Sequence, residues 1–311
     1  MTDWKQTARE RFNARVILNT ELANELGVPQ STLWDFKQKL IQEQQEKYKP
    51  KIFNFDIETA PLLIHNWSLW QNFTNLNQIM EDWFMLSWAG KWLGEDEIFY
   101  HDLIQDKEAF NIMPTDDETI VRALWDKFNE ADIIIGHNVK RFDNKKTKAR
   151  FLKYGLTMPD PYKIIDTLEI AKREFALASN KLDWLATFLG LENKIAHEGH
   201  GLWVKCMAGD PEAWAVMKEY NIWDVGLLEE IYMKIRGWSG NHMNLAVFYP
   251  GEDVRCPVCG SINLTLQDQA FAYTNLSKFQ VYRCTGCGKM GRTGGNLLSK
   301  NKRESLLRNI L

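Results

Sequence analysis

The sequence lacks the long apolar run that a membrane-spanning helix needs. No stretch of it approaches the ~18–20 consecutive apolar residues of such a helix. Its first ten residues, Met1 to Glu10, are polar and charged and contain no apolar core of a secretory signal. We therefore expect a cytoplasmic protein that has no membrane partner.

The sequence is also poor in cysteine and has no excess of positive charge. Five cysteines in 311 residues exclude a disulfide scaffold, and 45% apolar with 25% charged residues exclude collagen-like and disordered chains. Lys and Arg total 38 against 41 Asp and Glu, which gives a net charge of −3. Taken alone, that value argues against a nucleic-acid binder, because such proteins usually carry a basic surface.

The charges are unevenly distributed along the chain. Residues 1–51 carry a net charge of +2, residues 52–251 carry −10 and residues 252–311 carry +5. An acidic middle between basic ends fits three units with separate roles, although an unevenly charged solvated surface would give the same pattern. A chain of this length holds roughly two domains, or one large domain with small appendages.

The N-terminal unit, residues 1–50, is predicted to be helical. One turn signal, Gly27-Val28-Pro29, interrupts the helical pattern, and the small Ala23 stands four residues before Gly27. Small residues let two helices pack closely, so the segment resembles a helix-turn-helix. Residues 30–32 would lie at the start of the second helix, where DNA-binding proteins of this class place contacts. An ordinary helical hairpin without DNA contact is the alternative.

Residues 51–238 have the alternating pattern of an α/β domain. The predicted strands are Ile52–Glu58, Trp83–Trp92, Ile98–His101, Asp132–Gly136 and Lys163–Asp166, and the predicted helices are Thr115–Glu130 with Thr115 as N-cap, Asp143–Tyr154 and several more up to about Arg236.

Four acidic residues stand where a fold could bring them together. Asp56 and Glu58 are two apart on the first predicted strand, so their side chains point to one face. Asp143 follows a later strand after a six-residue turn, and Asp224 lies four residues after Tyr220 on a predicted helix. Converging carboxylates repel one another unless they bind hard divalent cations such as Mg²⁺. Each piece is common by itself, but the order and spacing make the combination specific.

The segments that hold these acids resemble a known family. Phe55-Asp56-Ile57-Glu58, residues 136–143 and Tyr220-Asn221-Ile222-Trp223-Asp224 are similar to the three motifs of the DEDD 3′–5′ exonuclease superfamily. Tyr220 resembles the DEDDy branch, which includes the proofreading domains of family B DNA polymerases and stand-alone phage exonucleases. The resemblance covers about residues 50–236 and extends to residues 165–168 and 180–183.

The resemblance implies a ribonuclease H-like fold and a metal-dependent 3′–5′ exonuclease. It implies that Asp56, Glu58, Asp143 and Asp224 bind two Mg²⁺ or Mn²⁺ ions and that Tyr220 orients the attacking water. One ion would lower the pKa of that water, and the other would stabilise the leaving 3′ oxygen. The expected substrates are single-stranded or frayed 3′ ends, with DNA favoured over RNA. A phage-encoded enzyme of this kind would act in the host cytoplasm.

A basic stretch surrounds Asp143. Residues 140–153 hold seven basic residues and one acid. Either a surface that follows the nucleic-acid backbone or an ordinary solvated helix face would have this composition. The predicted nucleic-acid contacts in this stretch are Lys140, Arg141, Lys145, Lys146, Lys148 and Arg150.

Three aromatic residues, Trp67, Trp70 and Phe73, lie between the first motif and the next strand. They could stack on terminal bases. The chain has 13 tryptophans, however, and core packing is the expectation for any one of them.

The C-terminal unit, residues 255–311, follows a predicted linker over residues 239–254. It contains two Cys-x-x-Cys-Gly knuckles, Cys256 with Cys259 and Cys284 with Cys287, separated by a 24-residue gap that a β-hairpin can fill. Four thiolates in two knuckles predict a closed tetrahedral structural Zn²⁺ site, and the unit resembles a zinc ribbon. Two disulfides are the alternative, which a cytoplasmic location disfavours. The net charge of this unit and its aromatic residues Tyr273, Phe279 and Tyr282 suggest nucleic-acid contact.

Two other functions compete with the exonuclease. The helix-turn-helix and the ribbon would also suit a DNA-binding regulatory or adaptor protein whose nuclease core is inactive. A structure-specific endonuclease could use the same scaffold. The intact acidic residues favour an enzyme, and the Tyr220–Asp224 spacing disfavours the endonuclease.

Overall fold

The computed structural model describes residues 4–13, 20–47, 49–70, 73–191 and 198–308. Within these ranges the α-helices are α1 (Trp4–Asn13), α2 (Thr20–Leu26), α3 (Gln30–Lys47), α4 (Lys107–Ile112), α5 (Glu118–Glu130), α6 (Asp143–Lys153), α7 (Thr167–Glu174), α8 (Leu182–Leu189), α9 (His200–Met207), α10 (Pro211–Ile235) and α11 (Lys300–Glu304). The β-strands are β1 (Ile52–Thr59), β2 (Leu63–Ile64), β3 (Ile79–Glu81), β4 (Met85–Trp92), β5 (Ile98–Asp102), β6 (Ile133–Gly136), β7 (Lys163–Asp166), β8 (Leu264–Thr274), β9 (Ser277–Cys284) and β10 (Met290–Asn296).

Five strands form a mixed central sheet in the order β5-β4-β1-β6-β7. Strand β4 runs antiparallel to β1 and β5, whereas β1, β6 and β7 are parallel to one another. This topology confirms the predicted α/β class with a mixed sheet. Because β1 is the central strand, the acidic residues near its C-terminal end lie in the middle of the domain.

The two faces of the sheet are covered by different apolar clusters. Phe55 and Ile134 point to one face, where α5 and α6 pack, and belong to one cluster. Ile133 and Ile135 point to the other face and join a second cluster with Ile231 of α10. This alternation follows from the two-residue period of a strand. Each such fully buried side chain stabilises the fold by about 1.5–3 kcal/mol.

Helix α5 begins later than the sequence pattern predicts. Thr115 is not its N-cap; the helix starts at Glu118 and Asp117 occupies the cap position without a side-chain capping bond. The carboxylate of Asp117 instead accepts the backbone N–H of Met85 at 2.7 Å and forms a buried ion pair with Arg150. The side chain of Asp117 therefore makes tertiary contacts and does not cap the helix.

The N-terminal helices form a small unit of their own. Helices α2 and α3 flank the predicted turn, and Gly27 adopts a φ of +66°, which glycine tolerates without strain. Ala23 and Leu33 are buried in a separate apolar cluster with Ala8 of α1. Two helices thus flank the predicted turn, and residues 30–32 lie exposed at the start of α3. DNA contact by this unit stays a prediction.

The C-terminal unit is a three-stranded antiparallel sheet in the order β10-β9-β8. The β8–β9 hairpin fills the gap between the two cysteine knuckles, as predicted. Among its aromatic residues Tyr273 is exposed, but Phe279 is buried beneath the guanidinium of Arg292, which lies 4.0 Å from the ring centroid. Phe279 is therefore a packing residue and not a surface contact.

The predicted linker packs against the core. Leu245 begins a short 3-10 helix, Leu245–Phe248, and is buried in the cluster behind the sheet. Its backbone N–H also bonds to the carbonyl of Pro257 at 2.7 Å. The segment thus ties the ribbon to the domain that precedes it. In the described part of the chain, each helix is too short or too polar to cross a membrane.

Candidate active site

Three carboxylates converge beside the central strand. Asp56 and Glu58 lie on one face of β1, and Asp224 projects from α10, which packs across that face. One carboxylate oxygen from each of the three lies within 4.8 Å of the others. Glu58 and Asp224 are buried and Asp56 is partly exposed. The structure therefore brings together three of the four acids that the sequence singled out.

Helix α10 positions both Tyr220 and Asp224. Its first turn is capped by Asp210, whose carboxylate accepts the backbone N–H groups of Glu212 and Ala213, and Pro211 stands at the first helical position. Tyr220 and Asp224 lie one turn apart on the buried side of this helix. A single long helix thus fixes both residues relative to the sheet.

Two polar residues position Asp56. The side-chain amide of Asn221 donates to a carboxylate oxygen of Asp56 at 2.9 Å, and Ser87 of β4 donates to the Asn221 carbonyl at 3.1 Å. Asn221 and Ser87 are completely buried. This chain of bonds fixes the orientation of the Asp56 carboxylate. The motif Tyr-Asn-Ile-Trp-Asp contained Asn221, but the spacing gave it no role.

Trp203 positions the carboxylate of Glu58. Its indole N–H donates to a carboxylate oxygen of Glu58 at 3.0 Å, from helix α9. The Trp203 ring also packs edge-to-face against Tyr220, with ring centroids 6.1 Å apart. Sequence reasoning missed Trp203, because the contact joins residues 145 positions apart.

Tyr220 is a hydrogen-bond donor within the acidic cluster. Burial raises the pKa of Tyr220, and the negative charges of Asp224, Glu58 and Asp56 raise it further. Its hydroxyl bonds to Asp224. The phenol therefore stays protonated at every physiological pH and can donate or relay a hydrogen bond but cannot act as a base.

Asp143 lies next to this cluster but is not among the three converging ligands. It is the first residue of α6, and its carboxylate accepts the backbone N–H of Ile57, the residue between Asp56 and Glu58. Burial raises the pKa of Asp143 to about 7, and the nearby carboxylate of Asp166 adds to this effect. Its expected role as a fourth metal ligand stays a prediction.

The loop that presents Asp143 is fastened by Asp166 at the end of β7. The Asp166 carboxylate accepts the backbone N–H groups of Asn138 and Lys140 at 3.0 and 3.1 Å, while it also caps α7. Asn138 takes a left-handed conformation with φ of +67°, which asparagine adopts more readily than most residues. Segment 165–168, noted in the resemblance, therefore shapes the second motif.

The predicted basic surface divides into exposed and buried residues. Lys140, Arg141 and Lys145 are exposed, and Lys146 and Lys148 are half-buried. Arg150 is only 3% exposed and pairs with Asp117, so it is structural and not part of a nucleic-acid contact surface. Arg150 lies seven residues after Asp143, two helical turns along the same buried face, which is the signal that could have separated it from its neighbours.

Lys146 is the basic residue best placed near the carboxylates. Its ammonium group donates to the Thr59 hydroxyl at 3.0 Å and lies 4.2 Å from the Trp83 ring centroid. Burial lowers the pKa of Lys146, while the carboxylates of Asp82 and Asp143 oppose that shift. Lys140 differs, because it is engaged with Glu169 at 2.5 Å.

A cleft of about 360 Å³ opens beside the acidic cluster. Its walls contain aromatic and cationic side chains. One of them, Trp203, is hydrogen-bonded to Glu58. The cleft is lined by residues that include Pro61, Leu62, Trp83, Phe142, Lys146 and Trp203. Such a cleft suits a flat aromatic ring with an attached anion.

The aromatic residues between the first motif and β4 do not pack in the core, contrary to expectation. Trp67 is 96% exposed, Trp70 is 89% exposed and Phe73 is 85% exposed. They belong to a projection that leaves β1 at Ala60 and returns to β4 at Met85. We call residues 61–70 and 73–83 the aromatic arm.

The four ribbon cysteines form the second candidate metal centre. All four sulfur atoms lie within 4.8 Å of one another, and Cys256–Cys287 and Cys259–Cys284 are each separated by 3.5 Å. That separation exceeds the ~2.05 Å of a disulfide bond, and the five cysteines, all within the described ranges, are free thiols. Gly260 and Gly288, which follow the knuckles, adopt left-handed φ values of +70° and +74° that let the chain turn around the sulfurs.

Both donor sets match the ions that the sequence predicts. Four thiols at mutual contact distance suit a closed tetrahedral Zn²⁺ site and leave no open position. The three clustered carboxylate oxygens suit a hard divalent cation such as Mg²⁺ or Mn²⁺, which would also relieve their repulsion.

Comparison with family models agrees with this architecture. Residues 94–236 match the family model of the RNase H superfamily, a segment that includes Asp143, Tyr220 and Asp224. A comparison with curated proteins gives no match. Among solved structures, the chain is similar to the family B DNA polymerase of the hyperthermophilic archaeon Pyrobaculum calidifontis, at 16% identity and a TM-score of 0.46, over 61% of this chain and 26% of the polymerase chain.

The fold and the site together define a class of protein. The mixed five-stranded sheet and the family match identify a ribonuclease H-like domain, joined here to a four-cysteine unit that fits a zinc ribbon. An acidic triad in such a domain supports a function of the nuclease type.

Proposed function

We propose that this protein is a metal-dependent 3′–5′ exonuclease that removes terminal nucleotides from nucleic acid, with DNA favoured. The observation that carries the proposal is the placement of Asp56, Glu58 and Asp224 within 4.8 Å of one another beside the protonated Tyr220. Asp143, at the start of α6, is proposed as the fourth acid. Two Mg²⁺ or Mn²⁺ ions bound there would activate the attacking water and stabilise the leaving oxygen.

The chain's own residues prepare the site for this reaction. Trp203 and Asn221 hold Glu58 and Asp56 in fixed orientations, so little reorganisation is needed when the substrate arrives. Tyr220 keeps its proton and can donate a hydrogen bond to a water or phosphate oxygen. Lys146, at the wall of the cleft, offers a positive charge to the terminal phosphate.

The size and lining of the cleft support action at a chain end. Trp83, Phe142 and Trp203 line the cleft, and Trp203 connects it to the carboxylate of Glu58. A free terminus can enter such a cleft, whereas an internal nucleotide would have to bring its continuing strand with it. The geometry thus favours an exonuclease over an endonuclease.

A labelled-substrate assay tests the proposal. The purified protein is incubated with 3′- and 5′-labelled single- and double-stranded DNA and RNA in Mg²⁺, Mn²⁺ or EDTA. We expect stepwise loss from the 3′ end that EDTA abolishes. Asp224→Ala should reduce the rate on the order of a thousandfold or more, because it removes a ligand of the reacting centre.

A matched control lies on the same helix. Glu219 is exposed on α10, so Glu219→Ala should leave the rate unchanged. Full activity of Asp224→Ala would overturn the assignment. Internal cuts would indicate the endonuclease, and binding without cleavage in any metal would indicate the adaptor protein.

A further inference from the structure

We propose that the aromatic arm is a second binding site, which holds the unpaired strand behind the terminal nucleotide by stacking its bases on Trp67, Trp70 and Phe73. The inference rests on the proposed function, since it assumes that the active site takes nucleic acid. It adds the statement that the enzyme recognises bases, without sequence preference, outside the cleft. It also assigns a role to a surface that the catalytic reaction does not require.

The arm is rooted at the active site. It begins at Ala60, two residues after Glu58, and the backbone N–H of Ala60 bonds to the carbonyl of Phe84 at 2.9 Å where the arm returns to the sheet. Pro61 and Leu62, at its base, line the same cleft as Trp203. A strand that leaves the cleft on this side therefore meets the arm next.

The base of the arm is ordered, so its rings are presented on a defined support. Strands β2 and β3 pair in an antiparallel ribbon. Gln78 adds to this pairing, because its side-chain amide donates to the carbonyl of His65 at 2.7 Å and its side-chain oxygen accepts the backbone N–H of Asn75 at 2.9 Å. A binding surface on a fixed support loses less entropy on binding than a free chain does.

The exposed surface of the arm is unusual for a soluble protein. Large apolar side chains are exposed there in succession, with Trp67 and Leu69 each at 96%. A contiguous exposed apolar patch marks an interaction site. Asn66 and Ser68 flank Trp67 in the sequence, a composition that suits stacking with additional hydrogen bonds to base edges.

The charge of the arm selects what it can contact. Residues 61–80 contain no Asp, Glu, Lys or Arg, and the two acids of the arm, Glu81 and Asp82, stand where it returns to β4. Helix α6, in contrast, carries Lys145 and Lys146. An uncharged aromatic surface gains nothing from phosphates but stacks on any base. The two surfaces therefore divide the strand between them, with the phosphates near α6 and the bases on the arm.

Binding measurements in the absence of divalent cations test this division without cleavage. The full chain is titrated with labelled oligothymidylate and with the same strand made of abasic residues. We expect Trp67→Ala/Trp70→Ala to weaken oligothymidylate binding about 5-fold or more for each ring and to leave abasic-strand binding unchanged. The slope of log affinity against log salt should stay the same, whereas Lys145→Ala/Lys146→Ala should flatten it by about 0.7 for each lost phosphate contact.

Leu69→Ala is the matched control, because it removes an equally exposed apolar side chain that has no ring. It should bind oligothymidylate like the wild type, and Trp67→Phe/Trp70→Phe should restore most of the affinity. Unchanged affinity of the double alanine variant would overturn the inference. So would an equal loss in Leu69→Ala, because it would show that apolar contact in general, and not ring stacking, supports the binding.

The same preparations are then assayed for cleavage with Mg²⁺, which separates the two proposals. A protein that binds through the arm but cuts nothing overturns only the proposed exonuclease. If the protein digests 3′ ends and every arm variant binds oligothymidylate with the wild-type affinity, only the stacking site is overturned.

Discussion

The indole N–H of Trp203 donates to the carboxylate of Glu58 at 3.0 Å, so a residue of α9 orients a candidate metal ligand on β1. Trp203→Phe keeps an aromatic ring but removes this donor. Mutation of a residue that orients a metal ligand typically lowers metal affinity about 10–100-fold. We therefore expect the Mg²⁺ concentration for half-maximal activity to rise about 10-fold or more.

The control for Trp203 is another buried tryptophan. Among the described residues, the indole nitrogen of Trp214 has no hydrogen-bond partner. Trp214→Phe therefore removes the same volume without removing a hydrogen bond and should leave the Mg²⁺ requirement unchanged. Equal Mg²⁺ titration curves for Trp203→Phe and the wild type would show that the bond does not tune the site.

The buried ion pair between Arg150 and Asp117 predicts a large effect on stability. Asp117 is completely buried, and Arg150→Ala would leave its carboxylate without the guanidinium. Breaking a buried pair in this way costs about 3–5 kcal/mol. Urea unfolding should show that loss, while Lys148→Ala on the same helix should change stability by less than about 0.5 kcal/mol. Similar unfolding midpoints for the two variants would contradict the pairing.

Local periodicity was sufficient for the elements and for the motif acids. Asp56 and Glu58 lie on one face of β1 because a strand has a two-residue period. Tyr220 and Asp224 lie on one face of α10 because residues four apart in a helix are about one turn apart. The family model and the mixed sheet confirm the predicted ribonuclease H-like fold. The four cysteines could also be grouped in advance, since each pair is fixed by its own knuckle.

Contacts between distant segments could not be predicted in the same way. The Trp203–Glu58 bond and the burial of Arg150 depend on which helix packs against which strand, and charge alone placed Arg150 on the surface. The aromatic arm shows the opposite error, because core packing was the expectation for a tryptophan, whereas Trp67 and Trp70 are exposed to solvent. Residue type predicts the average burial of such residues but not the burial of one residue at one position.

The raised pKa of Asp143 predicts how stability changes with pH. Its value in the folded protein is about 7, above the ordinary value of 3.8, because the carboxyl is buried. Between these values the folded state holds more protons than the unfolded state. The contribution of Asp143 to stability is therefore greatest below about pH 4, and it falls as the pH rises from about 4 to about 7.

This pH dependence is measured without added Mg²⁺ or Mn²⁺, because a bound cation would compete with the proton. Unfolding midpoints of the wild type and of Asp143→Asn are compared across the pH window. Asp143→Asn should lose the decline that Asp143 causes, and Glu219→Gln, which changes an exposed acid, should retain it. Parallel profiles for the wild type and Asp143→Asn would show that Asp143 is ionised throughout.

The zinc-ribbon unit packs against the C-terminal end of α10, the helix that carries Tyr220 and Asp224. One glycine allows the two backbones to approach closely. Gly237 follows α10, and a Cβ atom there would lie 2.3 Å from the carbonyl oxygen of Cys287. A Cβ atom and a carbonyl oxygen at that distance overlap, so the backbone must shift. We therefore expect Gly237→Ala to displace the second cysteine knuckle, to speed the loss of Zn²⁺ to a chelator and to lower the melting temperature.

Gly226, in the middle of α10, supplies a control of opposite sign. A Cβ atom at Gly226 would meet nothing within 4 Å. Because alanine favours a helix over glycine, Gly226→Ala should stabilise the protein by about 0.5–1 kcal/mol and leave Zn²⁺ release unchanged. If Gly237→Ala were stabilised to the same extent, the contact between the ribbon and the end of α10 would not constrain either unit. A destabilised Gly237→Ala that releases Zn²⁺ faster would show that the zinc centre supports the helix on which the acidic cluster depends.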